Sequence, residues 1–174
     1  MRQGRTVRST MAAALAVLLT ALMGCGILGK GGDKPLRIEV VFYGADSLNF
    51  DGRSVQSCQV KAYILKDIQR FSAADVRAFF SPVFDEGFME AFARDTLGSV
   101  TMIVAPGETR SAIIEVPRMY VKREPRLYFG AIANFAQPPS ERGKERMSFK
   151  MPKSNKTFYV QMNKNTIEKS KKKK

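Results

Sequence analysis

The chain has 174 residues, 44% of them hydrophobic and 26% charged, which excludes intrinsic disorder and suits one globular domain with a real core. It contains no histidine, which removes the commonest general base, the commonest metal ligand and every Ser–His or Cys–His pair. The net charge of +13 would point to nucleic acid in a cytoplasmic protein, so the compartment must be settled before the charge is interpreted.

The N-terminus settles it. Arg2, Arg5 and Arg8 form a basic segment without an acid, and Met11 to Leu22 is apolar except for Thr20. A run of about 12 residues is too short to span a bilayer and the right length for the apolar region of a signal peptide. It ends in Leu22-Met23-Gly24-Cys25, which resembles the bacterial lipobox, with Met at a less usual position. The resemblance implies cleavage after residue 24 and acylation of Cys25. Gly26 takes the place of the Asp that commonly retains lipoproteins in the inner membrane, so the expected location is the outer membrane, periplasmic face. The mature chain loses three arginines and no acid, taking +13 to +10. Export excludes nucleic acid as a partner and leaves anionic lipid, cell-wall carboxylates or an acidic protein face.

Residues 25–35 are the lipidated Cys and a glycine-rich flexible tether, with a reach of roughly 17 Å. Leu36, Ile38, Val40 and Phe42 alternate with Arg37 and Glu39, the signature of a half-buried strand. Ala45 to Gln56 is polar and turn-rich, with Asp51-Gly52 inside it, and reads as an exposed loop. Ser57 to Leu65 is a second strand with Cys58, Val60, Ala62 and Ile64 on one face, which makes Cys58 a core residue rather than a reactive thiol.

A short helical insertion follows. Ser72 and Asp75 read as its capping start, Val76, Phe79 and Phe80 as its apolar face, and Pro82 as its stop. Phe84, Phe88 and Phe92 form a second periodic stripe, with Asp85-Glu86 in its first turn and Gly98 as its terminator. Period two then returns at Val100–Val104, Ala112–Val116, Leu127–Phe135, Met147–Met151 and Phe158–Met162, with a turn at Pro106-Gly107. Short strands at regular spacing predict a mainly β, two-sheet sandwich over residues 36–163. Residues 164–174 end in four lysines and read as a disordered tail, either solubilising or in contact with an anionic surface.

No catalytic constellation is present: no G-x-S-x-G, no phosphate-binding glycine loop and no zinc-ligand spacing. Asp46 and Asp51 share a loop but make a poor calcium site without further ligands. The expectation is a binding protein, not an enzyme, with no cofactor and no metal.

The loop Ser47-Leu48-Asn49-Phe50-Asp51-Gly52-Arg53-Ser54, the strand Val60-Lys61-Ala62-Tyr63-Ile64-Leu65-Lys66-Asp67, and Phe71 with Ser72-Ala73-Ala74-Asp75-Val76 come in an order that resembles the TssJ family of type VI secretion lipoproteins. Pro106-Gly107-Glu108-Thr109-Arg110 and Gly130-Ala131-Ile132-Ala133-Asn134-Phe135 match later family motifs, while the absence of Trp, Val76 in place of Phe, and the lysine tail depart from the pattern. The resemblance implies a transthyretin-like β-sandwich and a role in the TssJLM membrane complex, tethering the periplasmic C-terminal domain of TssM to the outer membrane. It further implies partner contact through Ser47, Leu48, Asn49, Phe50, Asp51, Gly52, Arg53 and Ser54. A large apolar Phe50 on an exposed loop suits an interface anchor and Arg53 suits a carboxylate partner, although Phe50 could equally fold back onto the sandwich. The alternative function is a transthyretin-like envelope lipoprotein that binds a small ligand or cell-wall polymer, which an open cavity between the sheets would favour.

Overall fold

The computed structural model describes residues 34–81, 83, 85–124, 126–141, 143–152 and 157–171. The expected signal peptide, Cys25 and most of the tether lie outside the described residues, as do Pro82 and Phe84.

The period-two segments form strands. Among the described residues these are β1 (Leu36–Gly44), β2 (Cys58–Leu65), β3 (Thr96–Val104), β4 (Thr109–Val116), β5 (Tyr128–Asn134), β6 (Arg146–Lys150), β7 (Thr157–Met162) and β8 (Ile167–Lys169). They make two four-stranded sheets, β4-β1-β7-β8 and β3-β2-β5-β6. Only the β1–β7 pairing is parallel among the described pairings, with Val40 opposite Phe158. Alternation puts Ile38, Val40 and Phe42 of β1 against Val60, Ala62 and Ile64 of β2, all at most 1% exposed. Phe129 of β5 packs 4.7 Å from Phe158 of β7, ring centre to ring centre, which ties the two sheets together. Each such side chain, fully buried, contributes about 1.5–3 kcal/mol of transfer free energy.

The helical insertion comprises α1 (Gln69–Ala73), α2 (Val76–Phe80) and α3 (Glu86–Asp95). It covers the outer face of the second sheet, where Tyr63, Leu65 and Ile132 meet Phe71, Phe79 and Phe92 in a second apolar cluster. Phe88 and Phe92 stack at 5.3 Å, and Phe79 sits edge-on to both. Gly130 is where Phe71 lies on the sheet, since a Cβ there would sit 3.0 Å from the ring.

Three expectations are corrected, and one helix was not foreseen. Ser72 is inside α1, and Asp75 is itself the N-cap of α2, accepting the Arg77 N–H; the extended backbone of Ala74 (ψ 153) separates the two helices. Gly98 does not terminate α3, which already ends at Asp95; it lies in β3, where a Cβ would come within 2.7 Å of Ile114 as the chain passes between sheets. The tail is not unstructured from Lys164: Ile167, 3% exposed, docks on the core, and β8 pairs with β7. A fourth helix, α4 (Arg118–Arg123), follows β4 unannounced, because it fully buries no residue and so shows no apolar periodicity.

Candidate functional site

Strand directions bring four connections to one end of the sandwich: residues 45–57, 105–108, 135–145 and 163–166. Hydrogen bonds knit them. The Gly44 N–H donates to the Glu108 carbonyl at 2.8 Å, and the Ala45 N–H to that of Met162 at 2.8 Å. The Asn165 side chain donates to the Pro138 carbonyl at 3.1 Å.

The 45–57 loop is built from its polar side chains. Asn49, buried and with a positive φ of 52°, donates to the Ser57 carbonyl at 2.9 Å and accepts the Ala136 N–H at 2.6 Å. Asn tolerates that backbone region better than most residues. The Asp51 carboxylate accepts the Arg53 and Ser54 N–H groups at 2.8 and 2.9 Å and the Gln56 side-chain amide at 2.5 Å. The Ser54 and Arg53 amides hold its pKa below the usual carboxylate value. Gln137 donates to the Asp51 carbonyl, a second tie to the 135–145 loop.

The eight residues expected to touch a partner therefore divide. Leu48 is fully buried in the core and Asn49 is 5% exposed, so these two shape the loop and do not present it. Asp51 engages its own loop. Phe50 is half-buried with the Lys164 ammonium 5.0 Å from its ring centre, so it leans on the β7–β8 turn and still shows an edge. Ser47, Gly52, Arg53 and Ser54 are exposed. Val55 was missed: 46% exposed, it is an apolar side chain in an otherwise polar run, and that contrast was visible in the sequence. At the start of the loop, the Glu108 carboxylate accepts the Ala105 N–H and the Arg110 side chain, which lower its pKa and hold the 105–108 turn.

Among the described residues the space between the sheets is occupied by buried side chains. An open groove of about 790 Å³ lies instead on the surface, between Ser72–Arg77 and the 135–145 loop. Its floor holds Arg146, which donates to the Phe71 carbonyl at 2.7 Å and pairs with the buried Glu145 at 3.1 Å.

Residues 36–167 match the family described as type VI secretion lipoprotein, VasD, EvfM, TssJ. A comparison with curated proteins returns no match. Solved structures share the fold. The lipoprotein TssJ1 of the type VI system from Pseudomonas aeruginosa is 17% identical with a TM-score of 0.61, covering 80% of this chain and 98% of its own. Lip from Serratia marcescens, a membrane-bound component of the type VI secretion system, is 19% identical with a TM-score of 0.61, covering 80% and 99%. A chain from the structure described as the TssM C-terminal domain from EAEC is 16% identical with a TM-score of 0.58, covering 78% and 98%. With a family match that runs from β1 to the start of β8 and a fold shared with these structures, the chain belongs to the type VI secretion lipoprotein family.

Proposed function

We propose that this protein is acylated at Cys25, faces the periplasm from the outer membrane, and holds the periplasmic C-terminal region of TssM through the loop cluster at the far end of its sandwich. The observation that carries the reading is the bracing of the 45–57 loop from two sides. Asn49 ties it to Ala136 and Asp51 fixes its turn, so a partner meets a preformed surface and little ordering cost remains on binding. Two descriptions support the choice of partner: the fold occurs in chains from structures described as the TssM C-terminal domain and as a type VI membrane complex.

The geometry suits a tether. Each buried methylene of an acyl chain contributes about 0.8 kcal/mol, so more than one chain at Cys25 makes attachment lasting. The tether enters at Leu36, and β1 carries the chain roughly 30 Å to the loop cluster. Membrane and partner would thus engage opposite ends of one rigid body. Of the presented residues, Arg53 is the candidate for a carboxylate pair, while Val55 and the free edge of Phe50 supply apolar contact.

Two measurements test the reading. Mass spectrometry of the native protein should find a diacylglyceryl group on Cys25, and density fractionation should place it with outer membranes. Retention of the TssM C-terminal region should fall for the Phe50→Ala, Arg53→Glu double variant while the domain stays folded. A free Cys25 thiol, or unchanged retention, rejects the corresponding half.

A further inference from the structure

Basic groups collect at the end where the tether enters. β1 begins at Leu36, opposite Val116 at the end of β4, and α4 starts two residues later. Pro35 and Pro117, with Arg118, Met119, Lys122 and Arg123, line one shallow depression, so the last tether residue lies beside α4. Arg118, Lys122, Arg123 and Arg126 are exposed, as is Lys34. Met119 is 52% and Tyr120 40% exposed, an apolar and an aromatic group among cations.

The C-terminus returns to the same end. β8 runs antiparallel to β7, with Lys169 opposite Val160, and the Ser170 N–H donates to the Tyr159 carbonyl. The chain therefore leaves at Lys171 toward Thr157, which pairs with Glu39 near the start of β1. Lys172, Lys173 and Lys174 follow in sequence. Lys34 and α4 stand at the end where β1 starts and β4 stops, and the exposed Lys171 follows β8 at the opposite edge of the same sheet. Four strands at about 4.8 Å spacing set these cations across a front roughly 15 Å wide.

We infer that this end of the domain is a second contact with the membrane, a basic collar that binds anionic phospholipid headgroups beside the acyl anchor. The inference deepens the anchoring reading and rests on it for the orientation of the domain. The occupant follows from reach and charge. A tether of about ten residues from Cys25 to Pro35, with a root-mean-square span of roughly 17 Å, gives this end, rather than the loop cluster roughly 30 Å further along β1, the shorter reach to the headgroups. Each Lys or Arg near an anionic surface raises affinity by about fivefold, while Met119 and Tyr120 suit the headgroup boundary. Acyl chains alone fix position and leave tilt free. The collar would fix tilt, and so aim the loop cluster away from the bilayer.

The test uses the mature chain with Cys25→Ser, which removes the anchor, and sedimentation with vesicles of neutral phosphatidylcholine or of the same lipid with about one-third phosphatidylglycerol. The protein should sediment with the anionic vesicles only and be released as salt rises from about 50 mM to about 500 mM. Lys122→Glu with Arg123→Glu should weaken apparent affinity at least about tenfold. These side chains are exposed and α4 fully buries no residue, and an unchanged circular-dichroism spectrum and melting temperature should confirm that the fold is kept. Arg110→Glu, at the other end of β4, is the charge-matched control for Arg123→Glu alone and should change affinity less than twofold. A loss with Arg110→Glu equal to that of Arg123→Glu alone, equal binding to both vesicles, no vesicle binding, or preference for isolated peptidoglycan overturns the inference. Acylation of native Cys25 is read separately, so a free thiol with intact vesicle binding would sink the anchor alone.

Discussion

The side-chain oxygen of Asn49 accepts the backbone N–H of Ala136, 87 residues away in sequence, at 2.6 Å. The same amide group donates to Ser57, so one buried side chain joins both ends of its own loop to a loop of the second sheet. Asn49→Ala removes both bonds and places a Cβ residue without a local partner at a positive φ. It should lower stability by about 2–4 kcal/mol, read as a shift of the urea midpoint. Asn49→Gly, which adopts that φ without strain, should lose less.

Arg53→Glu with Val55→Asp reverses a charge and removes an apolar contact on the presented edge of the loop. Affinity for the TssM C-terminal region should fall at least about tenfold, equivalent to about 1.4 kcal/mol, in calorimetry. The melting temperature should hold, since both side chains are exposed. Equal affinity would move the partner site to another surface.

Arg146 and Glu145 form an ion pair in which each side chain is about a tenth exposed (12% and 11%). Arg146→Ala leaves the Glu145 carboxylate buried and the Phe71 carbonyl without its donor. Chemical denaturation should show a loss of about 3–5 kcal/mol. Replacing both with apolar residues should recover part of it, because the lone charge is gone.

Cys58 is fully buried, with its thiol 3.4 Å from the Asn134 carbonyl, and burial pushes its pKa up to about 12. The folded, anchor-free Cys25→Ser protein should therefore resist thiol reagents at pH 8 and react at one site only after denaturation. Rapid labelling of the native domain would mean that the sheet opens at Cys58.

The Arg77 guanidinium and backbone N–H hold Asp75 at about 2, against 3.8 for a free aspartate. A depressed pKa means that this cap stabilises α2 in full above about pH 4 and loses that contribution as pH falls toward 2. Amide exchange in α2 should quicken over that window, and Asp75→Asn should abolish the pH dependence.

The strands were legible because one face of each is buried, and a period of two survives almost any loop. Cys58 was placed correctly on the core face for the same reason. What escaped lacked that signal. Ile167 is the single buried residue of β8 and sits in a lysine-dense tail. Helix α4 fully buries no residue and sets only Val121 against the core, so no stripe betrays it. Asn49 and Leu48 could not be told from contact residues, because the groups that hold Asn49 are backbone atoms, one of them on a distant loop.

The parallel pairing of β1 with β7 carries a consequence for biogenesis. The first strand to leave the translocon sits in the interior of its sheet, and its neighbours are supplied by Thr109–Val116 and Thr157–Met162. Closing so long a loop is entropically slow, and nothing local rewards it earlier. A chain exported as proposed would therefore stay unfolded until nearly all of it had crossed, which would leave its N-terminus extended for processing and acylation. A nascent chain stopped before Met162 should remain open to protease, whereas the finished chain closes in one cooperative step.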